Sequence, residues 1–492
     1  MSIILNKGNK MSSFHKQVGN ALKWSSLAEI VAKLITPLSN TILARLLTPE
    51  HFGVIATITM IISFADIFSD SGFQKYLVQH EFESEYELDK AANVAFSSNF
   101  LISIFLWLFI SLLNEQISSI VGNPGLGIVI IVAGFSLPIT AFSSIQSALF
   151  KRKLEFRVLF YARILSSLVP LLITVPLAMF GKSYWSIIIG NIIGNIIISV
   201  VLSYLSDWKP NFSFNRFIFF EMFSFSTWSL FESIGTWLSS YIGTFIVGSI
   251  LSQYYLGLYK TSMTTVNGIF AIITSATVSV LFSSLSRLQS DRTEYDFIYL
   301  DFINLVSIVI FPTGVGIYIY KNLVTSILLG KQWMEATSFV GIYGLMCCIT
   351  LVLGQFASEY FRGLGKPKAN VLMTFLHLIV LIPTLILSAE DGFLTLAYAS
   401  SLIKIQQILI YWLILWFGFK FNPLRIFNYV WKGLFSSLIM GIFGYIFIQI
   451  NSGIIYQFIS IVACVIIYLM CYIYIFKGKL ELIRIMKIFT GI

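Results

Sequence analysis

Runs of about twenty apolar residues recur along the whole chain, separated by short polar stretches. Each run is long enough to cross about 30 Å of hydrocarbon as a helix rising 1.5 Å per residue. The runs lack the strict alternation of apolar and polar positions that a membrane barrel requires. In lipid every backbone N–H and C=O must be satisfied internally, so helices remain. The pattern predicts an all-α polytopic membrane protein with about fourteen transmembrane helices. The first expected span is Ala21–Leu47, the second Phe52–Tyr76 and the third Lys90–Leu113. The fifth is Phe160–Phe180, the seventh Phe223–Leu251 and the eighth Tyr254–Leu281. No stretch is left over for a soluble domain.

Composition agrees. Of 492 residues 57% are hydrophobic and only 11% charged, against about 25% charged in soluble domains. Mean hydropathy is +0.85. The net charge of +9 comes from cations scattered through short loops, with no basic arm, so nucleic acid is not an expected partner. Charge placement supports an even number of spans with both termini in the cytoplasm. On that assignment Lys151, Arg152, Lys153, Arg157 and Arg163 gather in one cytoplasmic loop. Among the 32 lysines and arginines, only Arg45, Lys182, Lys260, Lys321 and Lys331 fall on the opposite side, with Lys33 and Lys404 inside spans. The four cysteines, Cys347, Cys348, Cys464 and Cys471, sit in apolar runs without a CxxC or a nearby His, which predicts buried thiols and no metal site. Met1–Asn20 is polar and does not resemble a cleaved signal, and Met11 is an alternative start.

A faint internal repeat runs at an offset of 204 residues. Trp24-Ser25 matches Trp228-Ser229, Leu46-Leu47-Thr48 matches Ile250-Leu251-Ser252, and Phe52-Gly53-Val54 matches Leu256-Gly257-Leu258. The offset spans six helices, so the expected plan is two pseudo-symmetric six-helix bundles, 1–208 and 209–425, plus two C-terminal helices and a cytoplasmic tail in 426–492. Both copies start on the same side, which makes the repeat parallel.

Polar residues inside the spans fall on helical stripes. Ser25, Glu29, Lys33, Thr36 and Asn40 line one face of the first span. Glu29 and Lys33, four apart, can neutralise each other. Thr59, Ser63, Asp66 and Asp70 form a stripe on the second span, and Ser229, Glu232, Ser233, Thr236, Ser240 and Thr244 on the seventh. A charge at mid-membrane costs at least about 2.5–3.5 kcal/mol, so such faces turn to a bundle interior or to water. Asp66 is deeper than Asp70, which lies by Gly72 and Lys75 at a helix end. Glu232 has no cation near it in sequence, so it is solvated by a cavity, paired across helices or protonated. Lys404, beside Gln406 and Gln407, reads equally well as a packing or interfacial residue. The strongest helix breaker is Phe311-Pro312-Thr313-Gly314-Val315-Gly316. The acidic run Glu81, Glu83, Glu85, Glu87 and Asp89 reads as a solvated loop. There is no Walker A, GxSxG or HExxH motif, so neither ATP-driven transport nor hydrolytic chemistry is indicated and no cofactor is expected.

The segment Ala44-Arg45-Leu46-Leu47-Thr48-Pro49-Glu50-His51-Phe52-Gly53-Val54 resembles a turn of the polysaccharide-transport flippases of the multidrug/oligosaccharidyl-lipid/polysaccharide exporter superfamily. Asp70-Ser71-Gly72-Phe73 is similar to the segment ending their second helix, and Ala148 to Arg157 to their basic loop before helix five. Ser286-Arg287-Leu288-Gln289, Leu328-Leu329-Gly330-Lys331-Gln332-Trp333 and Gly363-Leu364-Gly365-Lys366-Pro367 follow in the same order, so the resemblance covers roughly the first 420 residues. It implies two six-helix bundles around a V-shaped cavity, working by alternating access. The implied substrate is an undecaprenyl-diphosphate-linked oligosaccharide for O-antigen, capsule or exopolysaccharide, moved from the cytoplasmic to the periplasmic leaflet of a bacterial inner membrane. Cations in the cavity would suit the diphosphate; Lys33 and Arg45 match best and Lys260 less closely, with Asn40 and Ser240 from the stripes beside them. Glu29, Asp66, Asp70 and Glu232 are the candidates for a driving proton or sodium ion. Expected partners are therefore that lipid-linked saccharide, the bilayer, a coupling cation and other polysaccharide-assembly proteins. Two alternatives stay open: an ion-coupled small-molecule exporter of the same superfamily, and a polysaccharide polymerase or ligase. The short outward loops, nearly free of His, weigh against the enzyme.

Overall fold

The computed structural model describes residues 24, 31, 35–70, 72–451 and 453–482. Among these there is no β-strand, and helices account for nearly every segment. The chain divides into two compact units, Met1–Gly257 and Leu258–Ile492. Among the described residues eleven helices are long and apolar enough to cross a membrane, so the chain is an all-helical polytopic membrane protein.

In the first unit, α1 is described over 35–46. It is followed by α2 (Pro49–Asp70), α3 (Glu85–Leu112), α4 (Gly127–Arg152), α5 (Phe156–Met179), α6 (Trp185–Leu205) and α7 (Arg216–Ile250). Helix α8 (Gln253–Arg287) begins in this unit and continues into the second. At 35 residues each, about 50 Å, α7 and α8 overlap the seventh and eighth expected spans, but α7 starts seven residues before Phe223 and α8 runs six residues past Leu281. Pro49 opens α2 in the first turn, where no N–H is needed, with Glu50 beside it to meet the positive helix end. Ser84 caps α3 by accepting from the Glu87 N–H at 3.3 Å. The third helix therefore starts at Glu85, not Lys90: Glu85 and Glu87 form its acidic first turn, favoured by the helix dipole, where sequence had suggested a loop.

Two helix starts of the first unit are packed backbone against backbone. A Cβ placed on Gly53 would lie 2.0 Å from the Gln253 carbonyl oxygen, and one on Gly257 would lie 1.8 Å from the Pro49 carbonyl oxygen. Gln253 and Gly257 stand 204 positions after Pro49 and Gly53. The two copies of the repeat thus make one reciprocal contact, each glycine seated on the other's first helical turn, as a two-fold related pair must. Gly122, held at φ +75°, adds a third close approach, 2.3 Å from its virtual Cβ to the Gly248 carbonyl oxygen.

In the second unit α9 (Arg292–Ile319) is central, packed by α10 (Lys331–Gly363) and α13 (Arg425–Ile450). The others are α11 (Lys368–Glu390), α12 (Phe393–Gly418) and α14 (Ile454–Ile475). Helix α9 runs unbroken through Pro312. Proline lacks the N–H that would bond the Ile308 carbonyl one turn back. The Tyr468 hydroxyl of α14 donates to that carbonyl at 2.7 Å, so the orphaned acceptor is satisfied across helices. Lys404 lies with its ammonium 4.7 Å from the centre of the Tyr343 ring, a cation–π contact within the bundle. All four cysteines are free and buried.

A polar cleft in the first unit

The stripe of α2 meets three other helices. Thr59, Ser63 and Asp66 face Ser136 and Thr140 of α4, Ser166 of α5, and Asn191 and Asn195 of α6. Together with apolar neighbours such as Ile58, Ile62, Leu137 and Val169 they enclose a cleft of about 310 Å³. A second cleft of about 200 Å³ shares Asp66 and Thr140 and adds Ser69, Gln74, Ser143, Ser144 and Ser147. Asp66 is the one carboxylate common to both. The Thr140 hydroxyl reaches its carboxylate at 3.4 Å.

The walls are set by close helix packing. Gly190 and Gly194, four apart on α6, bring that helix against α5: a Cβ on Gly190 would meet the Thr174 hydroxyl at 1.9 Å, and one on Gly194 would sit 3.6 Å from the Ser166 hydroxyl. Behind α2 the buried side chains of Ser69, Asn99 and Ser103 form a closed network. Ser69 donates to Asn99 at 2.9 Å, Asn99 donates to Ser144 at 2.6 Å, and Ser69 and Ser103 share a bond of 2.9 Å. This network fixes α2, α3 and α4 and holds Ser144 at the wall of the smaller cleft. On the other side of α2, the Trp237 indole of α7 donates to Ser63 at 3.0 Å and packs against Phe64 with ring centres 4.6 Å apart and the planes tilted by 51°.

The remaining expected residues are spread more widely. Glu232 is paired across helices, its carboxylate accepting from Lys75 at 3.3 Å, with both side chains half-exposed or more. That selects one of the three states open to Glu232 in sequence. Ser240 is exposed on α7 and donates back to the Thr236 carbonyl at 2.9 Å, one turn earlier. Arg45 is exposed at the end of α1, and Asn40 is half-buried on the same helix. Lys260 is half-buried on the part of α8 that belongs to the second unit. Glu29, Lys33 and the side chain of Asp70 lie outside the described residues. The cleft contributions of α4, α5 and α6 were missed in sequence. A signal was present: Ser136 with Thr140, and Asn191 with Asn195, each repeat a polar residue four apart within an apolar run. Arg163 was also misplaced. It is the eighth residue of helix α5, and Arg157 is the second, so neither lies in the loop before it. Among the described residues no group of His, Cys, Asp and Glu is arranged to hold a metal ion.

The described helices thus enclose a polar, carboxylate-bearing cleft within the first unit of an all-helical membrane chain. Comparison with known proteins supplies the family. The chain belongs to the polysaccharide biosynthesis protein family, whose model matches residues 42–338. It is 22% identical over 365 residues to the lipopolysaccharide biosynthesis protein WzxC of Escherichia coli, covering 74% of this chain and 71% of that one. It is 23% identical over 360 residues to the succinoglycan biosynthesis transport protein ExoT of Rhizobium meliloti, covering 71% and 70%. Its fold is similar to that of the lipid II flippase MurJ in an inward closed conformation, with a TM-score of 0.73 at 15% identity, covering 93% of this chain and all of that one.

Proposed function

We propose that this protein is a flippase that carries an undecaprenyl-diphosphate-linked oligosaccharide from the cytoplasmic to the periplasmic leaflet of a bacterial inner membrane, for surface polysaccharide synthesis. The observation that carries this reading is the polar cleft of the first unit in a chain that belongs to a polysaccharide biosynthesis family. Support also comes from the relatives: one is named a transport protein of succinoglycan biosynthesis, and a neighbour in fold is named a lipid II flippase. The role is transport, not catalysis. Both termini lie in the cytoplasm, and the repeat divides the chain into bundles 1–208 and 209–425 with two further helices in 426–492. Other polysaccharide-assembly proteins receive the product.

Within this reading Asp66 is the coupling carboxylate. It lines a water-accessible cleft, where gaining or losing a proton or sodium ion changes the electrostatics of four helices at once. Asp70 at the end of α2 and Glu29 of the first expected span are further coupling candidates, and Glu232 with Lys75 forms a breakable link between α7 and the segment after α2. Arg45, Lys33 and Lys260 with Asn40 and Ser240 are the substrate-contact candidates.

The test is deletion of the gene in its host with analysis of glycolipids on both membrane faces. A complete undecaprenyl-linked repeat unit should accumulate facing the cytoplasm, with surface polysaccharide lost. Translocated but unpolymerised units would make the protein a polymerase or ligase. Unchanged glycans with new drug sensitivity would make it a small-molecule exporter.

A further inference from the structure

We propose that four aromatic rings on α2 and α7 form a track along which the sugar rings of the saccharide move; this rests on the flippase reading above. The two helices run antiparallel. Toward the start of α7 their contacts pass from Trp237 with Ser63, through Glu232 with Lys75, to Glu221 with Tyr76. Tyr241 and Trp237 are one turn apart on α7, and Phe64 and Phe68 one turn apart on α2. In the antiparallel pair the rings follow one another as Tyr241, Trp237, Phe64 and Phe68. Successive ring centres lie 5.7, 4.6 and 5.2 Å apart. The path is about 15 Å long, half of a hydrocarbon core of about 30 Å. Phe64 is 40% exposed and the other three rings are half-buried, so each keeps some surface open. The Trp237 ring is oriented by its N–H, which donates to Ser63.

A polar strip runs beside the rings. Glu232, Thr236, Ser239 and Ser240 are exposed on α7 and fall within about 100° of arc, and Trp237 stands about 60° beyond Ser240. Hydroxyls and a carboxylate gathered on one face of a membrane helix turn to water or a polar ligand, not to hydrocarbon. The Thr236 and Ser239 hydroxyls each donate to a carbonyl one turn back at 2.9 Å, which presents their oxygens as acceptors. A pyranose ring has a face of C–H bonds and a rim of hydroxyl groups. Aromatic rings flanked by hydroxyls answer both: the rings take the C–H face, and the strip takes the rim. An isoprenoid tail carries no hydroxyls to meet the strip, so the saccharide is the occupant. Apolar contact with a ring face is non-directional. It therefore holds a sugar without reading each hydroxyl and lets it pass on. The ring spacing is comparable with the length of one sugar residue, so a sugar leaving one ring meets the next.

The experiment uses the full chain in phosphatidylcholine nanodiscs with the free saccharide repeat unit, released by mild acid from the host's surface polysaccharide. Saturation-transfer NMR, with the protein's aromatic protons irradiated, reads transfer to the sugar C–H protons. Transfer should be clear in the parent and fall about threefold or more in Phe64→Leu and in Tyr241→Leu, the loss of one ring contact. Phe64→Tyr and Tyr241→Phe keep a ring and should keep the transfer. Phe105→Leu, in an exposed ring pair with Phe109 on α3, should match the parent. Surface polysaccharide restored to the deletion strain should follow the same order. Melting curves check folding, and two positions are used so that the loss of one fold leaves the other to decide. Parent-like transfer and polysaccharide in a folded leucine variant overturn the track. So does an equal loss in the ring-keeping variants, or a parent that shows no transfer. Unchanged glycans in the deletion strain would overturn the flippase reading itself, which separates the two failures.

Discussion

Alanine at Gly257 should destabilise the protein far more than a glycine-to-alanine change in a membrane helix ordinarily does. The new Cβ would sit 1.8 Å from the Pro49 carbonyl oxygen, where ordinary contact begins at 3.4 Å, and both partners are backbone. The first turns of α2 and α8 must then separate by roughly 1.5 Å. Overpacking of this kind costs about 1–3 kcal/mol. Alanine returns about 1 kcal/mol in helix propensity. The expected net effect is a loss of up to about 2 kcal/mol. Gly53→Ala, with its Cβ 2.0 Å from the Gln253 carbonyl oxygen, should cost the same within error, because the contact is reciprocal. The double variant should cost less than the two combined, because the first Cβ already parts the backbones and the sites share one contact. Gly235 on α7 is the control: nothing lies within 4 Å of its virtual Cβ, so Gly235→Ala should be neutral or stabilising. Thermal unfolding in detergent reads all four variants. If Gly53→Ala and Gly257→Ala melt with Gly235→Ala, the two helix starts are not in backbone contact and the reciprocal arrangement is wrong.

Three further outcomes are expected. Tyr468→Phe removes the hydroxyl that donates to the Ile308 carbonyl freed by Pro312, so stability should fall by about 1–3 kcal/mol, and Pro312→Ala in the same background should restore most of it; no rescue would mean the hydroxyl is not there to serve the proline. Asp66→Asn keeps the size and the hydrogen bond to Thr140 but removes the charge, so melting should hold within about 1 kcal/mol while transport in a complementation assay is lost; full complementation would remove Asp66 from the coupling role. Glu232→Gln breaks a solvent-exposed pair with Lys75, so its stability cost should stay under about 1 kcal/mol; a larger loss in melting would show that the pair is structural.

Sequence determined the environment first. Apolar runs of membrane length with so few charges cannot be covered by water, so an all-helical, many-span chain followed from hydropathy alone. The stripe of Thr59, Ser63 and Asp66 was legible for the same reason, since helical period and the cost of burying a carboxylate in lipid both point those residues inward. The 204-residue offset was visible because both copies keep a glycine in one register. What that glycine does was not visible: only packing shows that each copy seats on the other's first turn, because a close approach of backbones leaves no mark beyond the missing side chain. The other walls of the cleft depended on tertiary structure too. Ser136, Thr140, Asn191 and Asn195 are single polar residues that lipid, a neighbouring helix or a cavity could each have faced, and only the assembled helices choose. Glu232 found its cation, Lys75, 157 positions earlier in the chain, a distance no local pattern spans. Pro312 read as a breaker, yet the helix continues because a hydroxyl from α14 satisfies the carbonyl that proline leaves free. Sequence sets how much polarity each helix must hide; which helix hides it is decided by long-range packing, where the partner lies far away along the chain and close only in space.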